Sequence, residues 1–243
     1  MTRLRLVGLA VAGSLAFSAL GAQSAVPGTE DPNPINFSIP LALQIGLPQG
    51  EFADNVALAG GVGGAGLWHA TPWFGLRLEL GVMIYGSETR RVPLGGGALG
   101  LINVDVTTTN TIFGGGIGAQ LGVPGRRITP YLGGTIGFSA FTTSSSVEGS
   151  NSDAEPFASA TNSSDGVFAK TALAGLYIPL ARGAATLDLG IRYNWNGERV
   201  RYLTQGDIIE DVNGDIILTP RETRADLLTI GIGVAIRPTI PRR

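Results

Sequence analysis

The sequence predicts an all-β fold, an eight-stranded antiparallel up-and-down transmembrane β-barrel with short periplasmic turns and longer outer loops. First, apolar residues alternate with small or polar ones in eight segments, and a period of two is typical of strands. Second, charged residues make up only 15% of the chain, against about 25% in soluble domains. Third, the connections after the second, fourth and sixth strands are tight turns, whereas all but the first of the other connections are longer, an asymmetry typical of such barrels.

The amino-terminal residues 1–24 have the pattern of a secretory signal peptide. A basic start with Arg3 and Arg5 precedes an apolar stretch, and small residues follow near Ala22. A single transmembrane helix is the alternative, but the apolar stretch is short for a span. We expect a periplasmic lead-in over 25–35, a barrel over 36–237 and a tail over 238–243. Because lipid leaves backbone groups unsatisfied, a membrane role without a long apolar helix requires a closed barrel.

The first three predicted strands are Asn36–Pro48, Val56–Ala70 and Phe74–Gly86. In the first, large apolar residues alternate with Ser, Ala, Gln and Gly, and Pro40 lies near the start, where a missing N–H is tolerated. The second carries Val, Leu and Trp on one face and mostly Gly and Ala on the other. In the third, every even position from 76 to 84 is apolar. These strands therefore have one apolar face and one small or polar face.

The remaining strands are predicted at Thr107–Val123, Ile128–Phe141, Val167–Leu180, Ala185–Tyr202 and Arg224–Arg237. The alternation is clear in all except the sixth predicted strand, 167–180, whose two faces it leaves open. Residues 71–73, 124–127 and 181–184 are expected to be tight turns. Residues 87–105 and 142–165 lack an apolar period and are expected to be outer loops.

Aromatic residues concentrate near the predicted strand ends, where amphipathic rings favour the lipid headgroup level. This pattern predicts two aromatic girdles, although aromatic residues are common in any strand. The residues near the predicted periplasmic ends are Phe37, Trp68, Trp73, Phe74 and Tyr131, and those near the outer ends are Tyr85, Phe141, Tyr193 and Trp195.

Four charged side chains fall on the inward positions of the third and seventh predicted strands: Arg77, Glu79, Asp188 and Arg192. An eight-stranded ring is only wide enough for side chains. Unpaired buried ions cost several kcal/mol, so these charges must be paired. We therefore expect an ion-pair network across the lumen, with Gln44, Gln120, Asn194 and Lys170 as further candidate members.

The pattern as a whole resembles the small OmpA/OmpX-like eight-stranded outer-membrane β-barrel proteins. The resemblance covers residues 36–237 and includes no diagnostic motif. It implies a place in the cell outer membrane of a Gram-negative envelope, with membrane lipid as a partner. Such proteins usually end in an aromatic residue, whereas this sequence ends in Pro-Arg-Arg243, so the resemblance implies an assembly signal inside the last strand.

Catalysis, cofactor binding and metal binding receive little support, and we expect none of them. The chain has no Cys and a single His, His69, without a neighbouring nucleophile and carboxylate. The glycine run 60–64 lacks the Lys and helix of a phosphate loop. A net charge of −2 gives no nucleic-acid footprint. Asp211, Asn213 and Asp215 have the spacing that begins a calcium loop, but the rest of that motif is incomplete.

These patterns predict a closed outer-membrane barrel with a structural or surface-binding role, present as a monomer. Asn213-Gly214 favours a tight hairpin turn, so residues 206–218 are predicted to form a protruding hairpin that offers a surface to a partner. A narrow or gated channel is one alternative. A soluble carrier of lipocalin type is another, although the sparse charge on the non-apolar faces argues against it.

Overall fold

The computed structural model describes residues 37–93, 103–123, 128–149, 158–180, 185–204, 207–210 and 216–236. The predicted signal peptide, lead-in and carboxy-terminal tail lie outside these ranges. No helix in the described ranges is long and apolar enough to cross a membrane.

The described residues form β-strands and one short 3-10 helix, Gly50–Phe52. The strands are β1 Phe37–Pro48, β2 Ala59–His69, β3 Phe74–Pro93, β4 Asn103–Gly122, β5 Thr129–Gly149, β6 Ala158–Pro179, β7 Ala185–Asn196, β8 Arg199–Tyr202, β9 Ile208–Glu210, β10 Ile216–Leu218, β11 Arg221–Arg224 and β12 Leu227–Ile236.

Eight of these strands close into an antiparallel barrel in the order β1-β12-β7-β6-β5-β4-β3-β2. Closure occurs where β12 pairs with β1, with Leu43 opposite Ile232. The structure therefore confirms the predicted fold class. We call the end of the barrel that carries residues 49–58 the upper end, and the end that carries residues 70–73 the lower end.

Large apolar side chains form the outer surface of the barrel. Leu43 is 66% exposed, Ile117 61% and Leu78 56%, and they belong to rows that continue along every barrel strand. Polar residues such as Gln44 and Thr229 are buried on the inside. This is the reverse of a soluble barrel, in which apolar residues fill the interior, and it suits a barrel surrounded by lipid.

The structure defines the two faces of β6 that the sequence left open. Phe168 and Leu176 are exposed on the outer surface, whereas Ala169 and Leu173 are buried inside. Lys170 follows the outward parity and is exposed. The expectation that Lys170 joins the lumen was therefore wrong, because alternation along β6 turns it outward.

Four neighbouring strands, β3 to β6, continue well beyond the rest of the barrel at the upper end. Pairing of β3 with β2 stops at Ile84, and pairing of β6 with β7 begins only at Ala169. Beyond these points β3 to β6 still pair with one another. We call this part the four-stranded extension; it comprises 85–93, 103–111, 142–149 and 158–168.

The extension corrects the prediction of outer loops over 87–105 and 142–165. Their described parts, 87–93, 103–105, 142–149 and 158–165, are strands, and the latter two are rich in Ser and Thr, while 94–102 and 150–157 lie outside the described residues. These strands show no apolar period because Ser, Thr and charged residues occupy most positions on both faces. Thr favours strands, and cross-strand hydroxyl bonds such as Thr89–Thr107 join the neighbours.

Several predicted boundaries also differ at the upper end. The second strand begins at Ala59 rather than Val56, and Val56 is buried inside instead of sharing an outer row with Leu58. The seventh predicted strand breaks at 197–198 into β7 and β8. The eighth begins at Leu227 rather than Arg224, and Arg221–Arg224 form a separate strand, β11, which pairs with β8.

The turn between β1 and β2 contains the 3-10 helix. Gly50 begins it with a φ of 57°, a left-handed conformation that glycine adopts without strain. This turn directs Phe52 into the barrel mouth, where its side chain is fully buried.

Candidate functional site

The lower half of the lumen holds a charged layer centred on Glu79. Arg77 donates from Nε to Glu79 Oε2 at 2.9 Å and from Nη1 to Gln120 Oε1 at 2.9 Å. Thr135 donates to Glu79 Oε1 at 2.6 Å, and Arg192 Nη1 lies 3.7 Å from Glu79 Oε2. Alternation on β3, β4, β5 and β7 turns these side chains inward, so one carboxylate lies between two guanidinium groups.

Asp188 lies in the same half of the lumen, but its partner is not one of the expected network members. Its Oδ1 accepts a hydrogen bond of 2.7 Å from the Tyr131 hydroxyl. The ring of Tyr131 stacks on Tyr177 at 4.5 Å between centroids. A side chain at Gly190 would approach the Tyr131 hydroxyl closely, so this glycine leaves room for the ring.

A cavity of about 80 Å³ lies in the lumen beside Glu79. Its lining includes Gln44, Thr171 and Asn194, and the Thr171 hydroxyl donates to Asn194 Oδ1 at 2.8 Å. Asn196 Oδ1 and Thr229 Oγ1 also belong to lining residues, are buried, and have no hydrogen-bond partner among the described residues. A polar cavity of this size has room for several water molecules, which would satisfy these two atoms.

At the upper mouth, four aromatic side chains form what we call the aromatic cluster: Phe52, Tyr85, Phe141 and Tyr202. The Phe52 ring lies 5.2 Å from that of Tyr202 and 5.7 Å from that of Tyr85, both edge-on. Each of the four side chains is at most 7% exposed. The cluster fills the space above the polar layers with apolar groups from four separate parts of the chain.

A polar clasp connects the segments around the aromatic cluster. Arg221 donates from Nη1 to Asn55 Oδ1 at 2.6 Å and from Nε to Asp207 Oδ2 at 3.0 Å. Asn55 also donates to the Tyr202 hydroxyl at 3.1 Å, and Thr204 donates to Asp207 through both its backbone N and its hydroxyl. Asp207 is partly buried, which raises its pKa, but the hydrogen bonds from Arg221 and Thr204 outweigh this and lower its pKa.

Three aromatic residues expected in the girdles lie inside the barrel. Tyr85 and Phe141 belong to the aromatic cluster, and Tyr131 is bonded to Asp188. Their assignment to the outer surface was wrong because strand alternation outweighs side-chain type. Tyr85 shares the odd, inward parity of Arg77 and Glu79 on β3.

The other aromatic residues proposed for the girdles lie on the outer surface. Trp68 and Trp73 are more than half exposed at the lower end. Trp195 is 41% exposed towards the upper end of β7, and its ring lies 4.6 Å from that of Tyr193.

The remaining sequence candidates lie away from the lumen centre. His69 is at the end of β2, where its Nε2 is 3.1 Å from Ser38 Oγ. Asp211, Asn213 and Asp215 lie outside the described residues. On either side of them, β9 and β10 pair as an antiparallel hairpin.

Sequence reasoning missed Phe52, Tyr177 and the role of Tyr202 in the lumen. Parity along β6 would have found Tyr177 once the faces of that strand were known, since it has the same inward parity as Leu173. No periodic signal points to Phe52, because it lies in a turn and its direction depends on Gly50.

Comparisons with known proteins agree with the fold at low sequence identity. No protein-family model and no curated protein matches the sequence. One similar solved structure is that of Neisserial surface protein A, with 12% identity and a TM-score of 0.46. The match covers 83% of this chain and 97% of that protein's chain. The outer membrane protein OprG from Pseudomonas aeruginosa has 14% identity, a TM-score of 0.43 and coverage of 82% and 94%.

Ail, the attachment invasion locus protein of Yersinia pestis, is similar at 12% identity and a TM-score of 0.42 in its complex with the heparin analogue sucrose octasulfate. The match covers 82% of this chain and 95% of that one. The strand pairing by itself defines the class of fold, which is a closed, eight-stranded antiparallel barrel.

Proposed function

We propose that this chain is a closed barrel of the cell outer membrane with a structural or surface-binding role. The observation that carries the proposal is the arrangement of the lumen in successive layers. A charged layer around Glu79 lies below, and the aromatic cluster lies above. Because an eight-stranded ring is narrow, these layers act as a plug.

The membrane part of the proposal rests on the outer surface. Exposed Leu, Ile and Val rows encircle the barrel, and burying them in hydrocarbon removes the cost of their exposure to water. We propose that residues 1–24 direct export and that Trp68, Trp73, Tyr193 and Trp195 lie at headgroup level. A soluble lipocalin-type carrier does not fit, since its apolar side chains would have to line the interior.

The surface-binding part rests on what lies above the plug. Among the described residues, no strand pairs with β3 on the β2 side of the four-stranded extension beyond Ile84. The β9–β10 hairpin is a separate two-stranded sheet outside the barrel sheet, and at its base Thr219 N donates to Asp207 O at 2.9 Å. Unpaired strand edges and projecting hairpins are common sites of protein association.

A narrow or gated channel is a second candidate, which the 80 Å³ lumen cavity favours. Planar-bilayer recordings of the refolded chain separate the two functions. The closed barrel should insert without producing single-channel steps. Stable, reproducible steps from wild-type protein would reject the plug and favour the channel.

Surface binding is tested with cells that display the protein. We expect displaying cells to adsorb to protein-coated surfaces more than cells without the protein. Replacing residues 208–218 with a short turn should reduce this adsorption while leaving the barrel folded. Equal adsorption by all three kinds of cell would leave a purely structural role.

A further inference from the structure

The outward face of the four-stranded extension has an unusual composition. Along 87–91, 105–111, 142–146 and 159–164, the outward residues are all Ser or Thr except Arg91 and Asp105. We call this surface the hydroxyl face. Its hydroxyl residues are Ser87, Thr89, Thr107, Thr109, Thr111, Thr142, Ser144, Ser146, Ser159, Thr161 and Ser164.

The hydroxyl face continues the lipid-facing surface of the same strands. Phe113, Phe138 and Phe168 are exposed on β4, β5 and β6, and Phe113 and Phe138 are in ring contact at 6.0 Å. Thr111 lies two residues above Phe113 on β4 and also points outward. From there to position 105 the strand rises by roughly 20 Å along its axis. This height lies directly beyond the hydrocarbon, in the layer of lipid headgroups.

Within these ranges the hydroxyl face carries one cation and one anion, and Glu148, the Cα partner of Asp105, lies just above them. Arg91 donates to both carboxylate oxygens of Asp105, at 2.8 and 3.1 Å, and the two side chains form one neutral pair. Some hydroxyls bond to one another across strands, as Thr89 does to Thr107 at 2.9 Å. Since each hydroxyl has one donor and two acceptor sites, such a bond leaves further capacity on both groups.

Strand pairing arranges these hydroxyls in rows, with one register shift between β5 and β6 at Thr143 and Ser144. Neighbouring strands are about 4.8 Å apart and alternate residues about 6.7 Å apart. Because the groups are held on a paired sheet, little conformational entropy is lost when a ligand contacts several of them. Such a surface suits a ligand that is uncharged where it makes contact and rich in hydroxyl groups.

We propose that the hydroxyl face binds the sugar headgroups of glycolipid in the outer leaflet of the surrounding membrane. This inference rests on the proposed membrane position, because the lipid-facing rows carry the hydroxyl face into the headgroup layer. Sugar hydroxyls donate and accept in the same way as Ser and Thr hydroxyls, and they replace the water that otherwise covers the face. The membrane's own glycolipid is the source, since it is anchored beside these strands.

Two adjacent Thr–Ser pairs between β4 and β5, one on each face of the sheet, allow a test variant and a matched control. Thr109 pairs with Ser144 on the hydroxyl face, and Thr108 pairs with Ser145 on the opposite face. The double variants T109V/S144A and T108V/S145A remove the same chemical groups. Thr108 and Ser145 are bonded at 2.9 Å, so the control variant disturbs the sheet at least as much as the test variant.

The refolded chain in detergent micelles is titrated with lipopolysaccharide that carries a core oligosaccharide and with lipid A that lacks it. We expect wild type to bind the core-bearing glycolipid at least about threefold more tightly, the effect of one or two net hydrogen bonds. T109V/S144A should bring the ratio of the two affinities close to one. T108V/S145A should keep the wild-type ratio.

A wild-type ratio of one, or equal loss in both variants, would overturn the proposal. If free core oligosaccharide bound as tightly as the core-bearing glycolipid, the ligand would be a soluble glycan, and the proposal would again be overturned. Heat-dependent gel mobility confirms that each variant is folded. Failure of the barrel to insert into bilayers would reject the proposed function, whereas insertion without a sugar preference would reject this inference alone.

Discussion

Glu79 shows how strongly one buried residue depends on its neighbours. It is 8% exposed and accepts from Arg77 and Thr135, with Arg192 close by. Removing its charge leaves two buried guanidinium groups without their shared counter-ion. A buried charge that loses its partner destabilises a protein far more than a surface ion pair stabilises it.

We expect Glu79→Gln to lower the free energy of unfolding by about 3–5 kcal/mol. Urea titration of the refolded barrel in lipid vesicles, followed by gel mobility, measures the change. Glu88→Gln on the same strand is the control; its exposed pair with Arg90 should contribute at most about 1 kcal/mol. Equal effects of the two substitutions would show that the lumen charges are not coupled.

Leu78 tests the opposite face of the same strand. It is 56% exposed in the middle of an outward row, so Leu78→Arg should destabilise the barrel by roughly 2–4 kcal/mol in lipid vesicles. Thr89→Arg, on the outward face of the extension, should change stability little. If Leu78→Arg were equally tolerated, its row would have to face water.

Residue-scale prediction from sequence worked where alternation alone was used. The inward positions of Arg77, Glu79 and Asp188 follow from parity on β3 and β7. Prediction failed where a residue was assigned to a face by its side-chain type instead of by its odd or even position in the strand, as for Tyr85. The partner of each lumen side chain could not be predicted from sequence, because the Tyr131–Asp188 hydrogen bond depends on room left by Gly190, which lies two strands away from Tyr131 on β7.

At the scale of elements, the 3-10 helix has an effect out of proportion to its length. It places Phe52 at the centre of the aromatic cluster, in contact with the rings of Tyr85, Phe141 and Tyr202. Loss of the Phe52 ring would leave a cavity at the upper mouth of the barrel.

We expect Phe52→Ala to destabilise the protein by about 3–5 kcal/mol, as for other buried aromatic truncations. Leu58→Ala is the control in the same connection, since Leu58 is 53% exposed. Urea unfolding of both variants gives the comparison. If Phe52→Ala lowered the free energy of unfolding less than Leu58→Ala does, Phe52 would not pack in the barrel mouth.

The polar clasp should respond to acid. Because the pKa of Asp207 is lowered in the folded chain, its stabilising contribution is present above the ordinary Asp pKa of about 3.9. That contribution is lost as the pH falls through the lower, folded pKa. Hydrogen exchange in residues 199–224, corrected for its intrinsic pH dependence, should therefore rise between about pH 6 and pH 2.5.

Asp207→Asn provides the comparison for that experiment. It should raise exchange near Thr204 and Arg221 already at about pH 6, and it should leave little further increase on acidification. An identical acid response in wild type and variant would assign the effect to another group.

Strands with one apolar face could be predicted from the sequence, whereas the strands of the four-stranded extension could not. Segments such as 142–149 lack any large apolar period, so their sequence is typical of a loop. Strand formation there depends on pairing with neighbours that are already ordered by the barrel below. Such pairing is a tertiary effect and leaves little trace in local sequence.

At the scale of the whole molecule, the polarity of the interior changes from the lower end of the barrel to the upper end. The outside is apolar, and the lower inside is polar and charged, as lipid and a narrow lumen require. The upper inside is apolar again, where the aromatic cluster replaces the ion pairs. Ring closure was predictable from an even number of alternating strands, while the length difference between β3–β6 and the other barrel strands was not.

The absence of cysteine from the sequence allows a direct test of which surface meets lipid. Single cysteines at Leu78, Ile117 and Ile136 accept spin labels on the outward rows, and one at Thr109 marks the extension. In lipid vesicles, labels on the rows should be accessible to oxygen and shielded from a water-soluble nickel complex, with the reverse at position 109. Nickel access along the rows would contradict the membrane position and the functions that depend on it.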